Sequence, residues 1–225
     1  MRWLAALLVV VVAGYAAYKS IFTTYSYRYR LQISLSVDDN VHTGSSVIEV
    51  VWSCGPHLAG FAQCAPSLGG QATVVDLGSH GVVVATLYTG ENFTPVPDGA
   101  VDATWLCAIA FGNRSTTEDL SKLPHLTGRR SLSPDSFPRL VWFSNPADPK
   151  SARKVTIGNV ASIVDPTARF TDAFVEITHG PIVVDIAKKL PWYPALLEAQ
   201  RGTGIYSESG KFQLIYKMFV GENSS

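Results

Sequence analysis

Residues 24–37, TYSYRYRLQISLSV, constrain the fold of this chain more than any other stretch. From Tyr25 onward the odd positions are aromatic or aliphatic, and the even positions are serine, arginine or glutamine. Successive side chains of a β-strand point to opposite faces of its sheet. The alternation therefore predicts one long strand with a buried odd face and a solvated even face, so that Ile33 is in the core and Ser34 is in water.

Two hairpins are predicted from the first half of the chain. Asp38-Asp39-Asn40 has the composition of a turn, and the β-type run VHTGSSVIEVVWS follows it. Within residues 69–89, two β-branched runs flank the turn sequence Gly-Ser-His-Gly at 78–81. The unbroken valines at 82–84 favour a strand that is covered on both faces and so lies centrally.

The remaining sequence predicts further strands and short helices. The strands are expected at residues 139–143, 155–157, 169–178, 182–186 and 212–220, and the helices near 98–109, 115–123, 159–163 and 195–200. Asp98 is the expected N-cap of the first of these helices, and a strand at 105–111 is the alternative. The pattern predicts a mainly β (α+β) fold: one strand-rich domain over residues 24–225, with antiparallel sheets arranged as a sandwich or an open barrel.

The N-terminus predicts a membrane segment. Residues 3–22 are apolar except for Lys19 and Ser20, and about 20 helical residues match the thickness of a bilayer core. We therefore expect residues 1–23 to be a single-pass transmembrane anchor that has the lipid bilayer as its partner. A cleaved signal peptide is the alternative, because Arg2 precedes the apolar run and small residues near 14–17 form a poor cleavage site. Either pattern favours a periplasmic location for the domain.

Charge and motifs exclude several functions. The chain has 18 Lys and Arg against 18 Asp and Glu, so no basic field is present to attract nucleic acid. No cofactor-binding motif is found, and the five histidines form no metal-binding or hydrolase motif. We assign no catalytic residue from the sequence. The adjacent carboxylates of Asp38 and Asp39 are more typical of a solvated turn than of a cation site.

Two cysteines form a candidate disulfide. Cys54 and Cys64 flank a short loop that contains Gly and Pro, and they can be joined in an oxidising compartment. Cys107 would then be a buried free thiol. The alternative is a metal site made of Cys54, His57 and Cys64, with His80 or Cys107 as a fourth ligand, although this spacing matches no standard zinc module.

Two aromatic clusters are candidate interaction sites. Trp192 and Tyr193 follow Pro191, and if exposed they would form a rigid anchor for a partner protein. In the alternative, Trp192 folds back onto the sheet. Tyr25 and Tyr27 lie where the chain leaves the predicted membrane segment, so both interfacial anchoring and core packing are open to them.

Four blocks together resemble a known group of proteins. They are SYRYRLQISLSVDDNVHTGSSVIEVVW, GGQATVVDLGSHGVVVATL, FPRLVWFSNPADP and AFVEITHGPIVVDIAKKLPW. In this order they are similar to uncharacterised proteobacterial membrane-anchored envelope proteins, a family of unknown function, over most of residues 26–192. The resemblance implies a membrane-attached envelope domain. It implies no activity and no role for any residue.

Two function classes follow from these observations. The first is a membrane-tethered β-rich domain that binds or scaffolds membrane or envelope partner proteins, which fits the lack of a catalytic motif. The second is an extracytoplasmic hydrolase in which His57, His80 or His179 meets Asp76 or Asp185 only in the folded chain.

Overall fold

The computed structural model describes residues 2–56, 64–88, 101–112, 117–198, 205–206, 213–214 and 218–221. The strands are β1 Thr23–Val37, β2 Asn40–Cys54, β3 Cys64–Gly70, β4 Thr73–Asp76, β5 Val82–Ala85, β6 Arg129–Ser131, β7 Leu140–Phe143, β8 Ala152–Val155, β9 Arg169–Ile177, β10 Ile205–Tyr206 and β11 Gln213–Leu214. The α-helices are α1 Arg2–Ile21, α2 Ala103–Ala110, α3 Thr117–Leu120, α4 Val160–Ile163, α5 Ile186–Lys189 and α6 Tyr193–Glu198. Short 3-10 turns occupy Gly78–His80, Leu123–His125, Pro134–Ser136 and Pro149–Ser151.

Two antiparallel sheets make up the body of the protein. The first has five strands in the order β3-β2-β1-β9-β6, and the second has four in the order β4-β5-β7-β8. β10 and β11 form a separate two-stranded pair. The predicted strand-rich fold with antiparallel sheets and few short helices is confirmed.

The β1–β2 hairpin is the longest unit of the first sheet. Its two strands pair from Val37 with Asn40 at the tip to Thr23 with Cys54 at the base. Asp38 and Asp39 form the two-residue loop, and their φ angles of 48° and 58° are those of a type I′ turn. Aspartate tolerates this left-handed backbone better than most residues do, which explains why this dipeptide closes the hairpin.

The odd face of β1 forms the centre of the main core. Tyr27, Tyr29, Leu31, Ile33, Leu35 and Val37 are all at most 6% exposed. They share one cluster with residues of the second sheet, such as Val83 and Leu140. The two sheets therefore bury their facing sides against each other, as the alternation in the sequence predicts.

The prediction that Ser34 is exposed is wrong. Ser34 is 5% exposed, and its hydroxyl is hydrogen-bonded to that of Thr43 at 2.8 Å. β1 is an internal strand, and Ser34 lies between Thr43 of β2 and Asp172 of β9. A short side chain between two longer cross-strand neighbours loses its contact with water even on the polar face.

The second sheet is covered on both sides. Val83 and Ala85 of β5 belong to the main core, whereas Val82 and Val84 belong to a second cluster that includes α5, α6 and Phe219. This arrangement agrees with the prediction made from the unbroken valines. The second cluster forms because a strand with apolar residues on both faces needs a covering layer on each.

Some local predictions are wrong. α2 begins after Asp102, whose carboxylate accepts a hydrogen bond from the Thr104 amide at 2.7 Å. Asp98, the expected cap, lies outside the described residues. Residues 182–186 form no strand, and Ile186 instead begins α5. β3 and β6 were not predicted, because β3 contains Pro66 and two glycines and β6 has only three residues.

α1 covers the predicted membrane segment. Its side chains are described at Trp3, at 7–16 and at Ile21. The apolar side chains at residues 7–12 are between 59% and 70% exposed, and Trp3 is 89% exposed. Within the part of the chain that the structure describes, no helix combines the length and the apolarity needed to cross a membrane.

Candidate functional site

Three turns from different parts of the chain meet at the tip of the β1–β2 hairpin. They contribute Asp38 from the hairpin loop, His80 from the 3-10 turn between β4 and β5, and Asp165 from the turn before β9. β9 runs antiparallel to β1, with Arg169 opposite Ser36, so its N-terminal end lies beside the hairpin tip. We call Asp38, His80 and Asp165 the tip cluster.

The imidazole of His80 lies between the two carboxylates of the tip cluster. Its Nε2 is 3.1 Å from an Asp38 carboxylate oxygen, and its Nδ1 is 3.8 Å from one of Asp165. Thr167 supports the arrangement: its hydroxyl accepts a hydrogen bond from the Asp38 amide at 2.8 Å and lies 2.7 Å from the second Asp165 oxygen. The Trp142 indole donates to the His80 carbonyl at 2.7 Å, which joins the turn to the second sheet.

The surroundings of Asp165 favour its charged form. The hydroxyl and the amide of Thr167 lower the pKa of Asp165, and the nearby His80 contributes in the same direction. The exposed side-chain fractions are 58% for Asp38, 28% for His80 and 23% for Asp165. The cluster is thus a shallow surface network and not a deep pocket.

One imidazole and two carboxylates are donors that bind transition-metal ions, and their donor atoms lie within 4.8 Å of one another. The nearest contacts of the two carboxylates, however, are with different ring nitrogens of His80. A metal ion binds an imidazole through one nitrogen. The geometry therefore fits a histidine placed between two carboxylates better than a metal centre.

The histidine and aspartate pairs expected for a hydrolase do not form among the described residues. Asp76 accepts a hydrogen bond from the Gly78 amide within its own turn. Asp185 exchanges two hydrogen bonds with the Gln71 side chain, at 2.7 and 2.8 Å. His57 lies outside the described residues.

His179 lines a cleft of about 270 Å³ together with Arg28, Glu49 and Thr178. Arg28 and Glu49 form an ion pair at 2.8 Å across β1 and β2. Arg28 also lies 3.5 Å from the Gly180 carbonyl oxygen. The charges of Arg28 and Glu49 thus neutralise each other. Neither residue presents an unpaired charge to a ligand in the cleft.

The two candidate cysteines are joined in the structure. Cys54 and Cys64 form a disulfide at the paired ends of β2 and β3, with their Cα atoms 4.0 Å apart. The bond leaves neither sulfur as a thiolate, so the alternative metal site at Cys54, His57 and Cys64 does not fit. Cys107 is a buried free thiol, and burial raises its pKa to about 12, so it stays protonated and unreactive.

The aromatic interaction candidates are mostly core residues. Trp192 and Tyr193 are 8% and 7% exposed, and both pack against Phe219. The Trp192 indole also donates to the Pro146 carbonyl at 3.0 Å. The interpretation of Trp192 and Tyr193 as an exposed anchor is therefore wrong, and only Pro191 of that group is exposed.

The tyrosines at the start of β1 divide between core and surface. The Tyr27 and Tyr29 hydroxyls donate to backbone carbonyls of α2 at 3.3 and 2.6 Å, and burial raises the pKa of both phenols well above the usual range. Tyr27 thus packs in the core, and its alternative role as an interfacial anchor is wrong. Tyr25 is half-buried against the same core, so part of its ring faces solvent.

The tip cluster was not predicted from the sequence. His80 is 42 residues from Asp38, and no spacing rule connects a hairpin loop with a turn of another sheet. The one available signal was the choice of Asp, His and Asp at turn positions, which is common in exposed turns.

No protein-family model matches the chain, and the searches of curated proteins and of solved structures found no match either.

Proposed function

We propose that this protein is a membrane-tethered extracytoplasmic domain that binds or scaffolds partner proteins of the cell envelope. The observation that carries the proposal is the uncovered apolar surface of α1. Six consecutive aliphatic side chains, at residues 7–12, are each more than half exposed. Six consecutive positions face all sides of a helix, so α1 has no polar face there.

A helix that is apolar on all sides needs an apolar environment on all sides. α1 has 20 residues, which corresponds to about 30 Å at 1.5 Å per residue, close to the thickness of a bilayer core. The side chains described within α1 cover only part of this length, and the apolar character of the remainder is taken from the sequence. Lipid supplies such an environment, and burial of each large aliphatic side chain contributes about 1.5–3 kcal/mol. This reasoning favours α1 as an anchor, in agreement with the resemblance to membrane-anchored envelope proteins.

The Cys54–Cys64 disulfide supports a location outside the cytoplasm. Disulfides persist in the periplasm and at cell surfaces, whereas the cytosol keeps most thiols reduced. Arg2 is the first residue of α1 and lies at its cytoplasmic end in this orientation. The domain is therefore proposed to face the periplasm.

A binding role fits the surface better than catalysis does. The tip cluster is shallow and its carboxylates lie beside His80, while the charges of the Arg28 and Glu49 cleft are paired. β1 has 15 residues, so it carries the hairpin tip about 46 Å from the end of α1 at 3.3 Å per residue. A long paired strand of this kind is suited to positioning the surface at the hairpin tip at a set distance from the anchor.

The proposal is tested in native membranes. We expect the full chain to stay with the membrane after an alkaline carbonate wash, and a variant that lacks residues 2–22 to be released. A photo-crosslinker at Val41, which is 64% exposed beside the tip, should give an adduct of one defined mass. A matched crosslinker at the exposed Lys188 is the control for random collisions. Release of the full chain refutes the anchor, and a monomer without adducts at Val41 refutes the scaffold.

A further inference from the structure

The junction between α1 and β1 contains almost no linker. α1 ends at Ile21 and β1 begins at Thr23, so Phe22 alone separates the helix from the sheet. β1 is paired from its first residue, because Thr23 lies opposite Cys54. Cys54 is in turn bonded to Cys64 of β3. β1, β2 and β3 are therefore joined to one another at the end of the sheet that lies within one residue of the helix.

The apolar exterior of α1 continues across this junction. Ile21 and Phe22 are 49% and 44% exposed. The Phe22 ring lies close to Gly55, where an added Cβ would be 3.4 Å from a ring carbon. Tyr25, three residues further along, is half-buried. Tyr and Trp are enriched at the level of lipid headgroups, so Tyr25 suits that depth, and Phe22 extends the apolar surface of α1 towards it.

We infer that the end of the sheet formed by β1, β2 and β3, which carries Phe22, Tyr25 and the Cys54–Cys64 disulfide, rests on the lipid headgroups, with β1 rising away from the bilayer. Lipid is the partner of this surface for two reasons. The exposed apolar surface is continuous with α1, and the one-residue junction is too short to separate the sheet from the bilayer surface. The inference rests on the proposed function, since it requires α1 in a bilayer. Its consequence is that the tip cluster lies above the membrane at a height of up to about 46 Å, the length of β1.

Energy transfer to the membrane surface tests this orientation. Ser26→Cys and Val41→Cys place donor dyes on the same polar face of the hairpin, because Val41 lies opposite Ser36 of β1. The two positions are separated by ten residues along β1, or about 33 Å. Cys107 is 0% exposed and the other cysteines form the disulfide, so a thiol dye reacts with the introduced cysteine alone. The full chain is reconstituted in vesicles of phosphatidylcholine and phosphatidylglycerol that carry an acceptor dye on the headgroup.

We expect several-fold higher transfer efficiency from position 26 than from position 41. Equal efficiencies in vesicle-bound protein would overturn the inference, because the domain would then lie flat or tumble. A flexible insertion of eight Gly and Ser residues after Phe22, which spans about 16 Å, should reduce transfer from position 26. Unchanged transfer after the insertion would also overturn the inference. Failure of the full chain to bind vesicles would instead refute the proposed anchor, so the two failures are distinguishable.

Discussion

The Ile33→Ala substitution tests the placement of β1 at the centre of the core. Ile33 is 0% exposed and lies between Gly44 of β2 and Ala173 of β9. Both cross-strand neighbours are small, so Ile33 fills space that they leave open. Truncation of a fully buried isoleucine to alanine costs about 2–5 kcal/mol, through lost transfer free energy and a residual cavity. We expect a loss of about 3 kcal/mol in the free energy of unfolding, which lowers the Tm of a domain of this size by roughly 6–12 °C.

Gln32→Ala is the matched control. Gln32 is the adjacent residue on the half-buried polar face, so its truncation should change the free energy of unfolding by less than about 1 kcal/mol. The measurement is urea unfolding of the full chain in detergent, followed by tryptophan fluorescence, together with a thermal melt by near-ultraviolet circular dichroism. Equal destabilisation by the two substitutions, or a larger loss for Gln32→Ala, would refute the register, because a shift by one residue exchanges the two faces.

Three further predictions use the same measurements. Gly44→Ala should destabilise by about 1–3 kcal/mol, because its Cβ would lie 2.3 Å from a backbone oxygen of β4, whereas Gly158→Ala, with no atom within 4 Å, should be close to neutral. Tyr29→Phe should cost about 1 kcal/mol through the lost hydrogen bond to α2, and Tyr25→Phe should cost less; equal losses would contradict the buried hydrogen bond. The pKa of Asp165 is lowered in the folded state, so its contribution to stability is present above the unfolded pKa of about 4 and is lost as the pH falls through the folded pKa. The stability difference between the wild type and Asp165→Asn should therefore be present at pH 6 and shrink below about pH 4, and a difference that grows on acidification would contradict this assignment.

Local patterns in the sequence predicted the framework of the protein well. The two-residue alternation of residues 24–37 predicted β1 and its buried face, and Asp38-Asp39 predicted the turn that sets the register of the hairpin. The run of valines at 82–84 predicted a strand covered on both faces. Each of these features depends on backbone geometry and on the period of consecutive side chains, which are written directly in the sequence.

Short or irregular elements were harder to predict. β3 pairs with β2 although it contains Pro66 and two glycines, because the ladder and the disulfide at its first residue hold it in place. The burial of Ser34 depends on which strands flank β1, and the alternation gives no information about those neighbours. In both cases the tertiary context outweighs the local preference of the residues.

The candidate site and the fate of the aromatic residues were decided only by the tertiary structure. Asp38, His80 and Asp165 meet because the antiparallel pairing of β9 with β1 brings one turn to the hairpin tip and the packing of the two sheets brings the other. Trp192 is buried because α5 and α6 cover the outer face of the second sheet, where Phe143 and Phe219 surround its ring. The sequence by itself determined which residues form alternating strands, which form turns and which segments are apolar, since those properties depend on neighbours along the chain. Contacts between distant segments depend on the order of strands in the sheets, and only the tertiary structure contains that order.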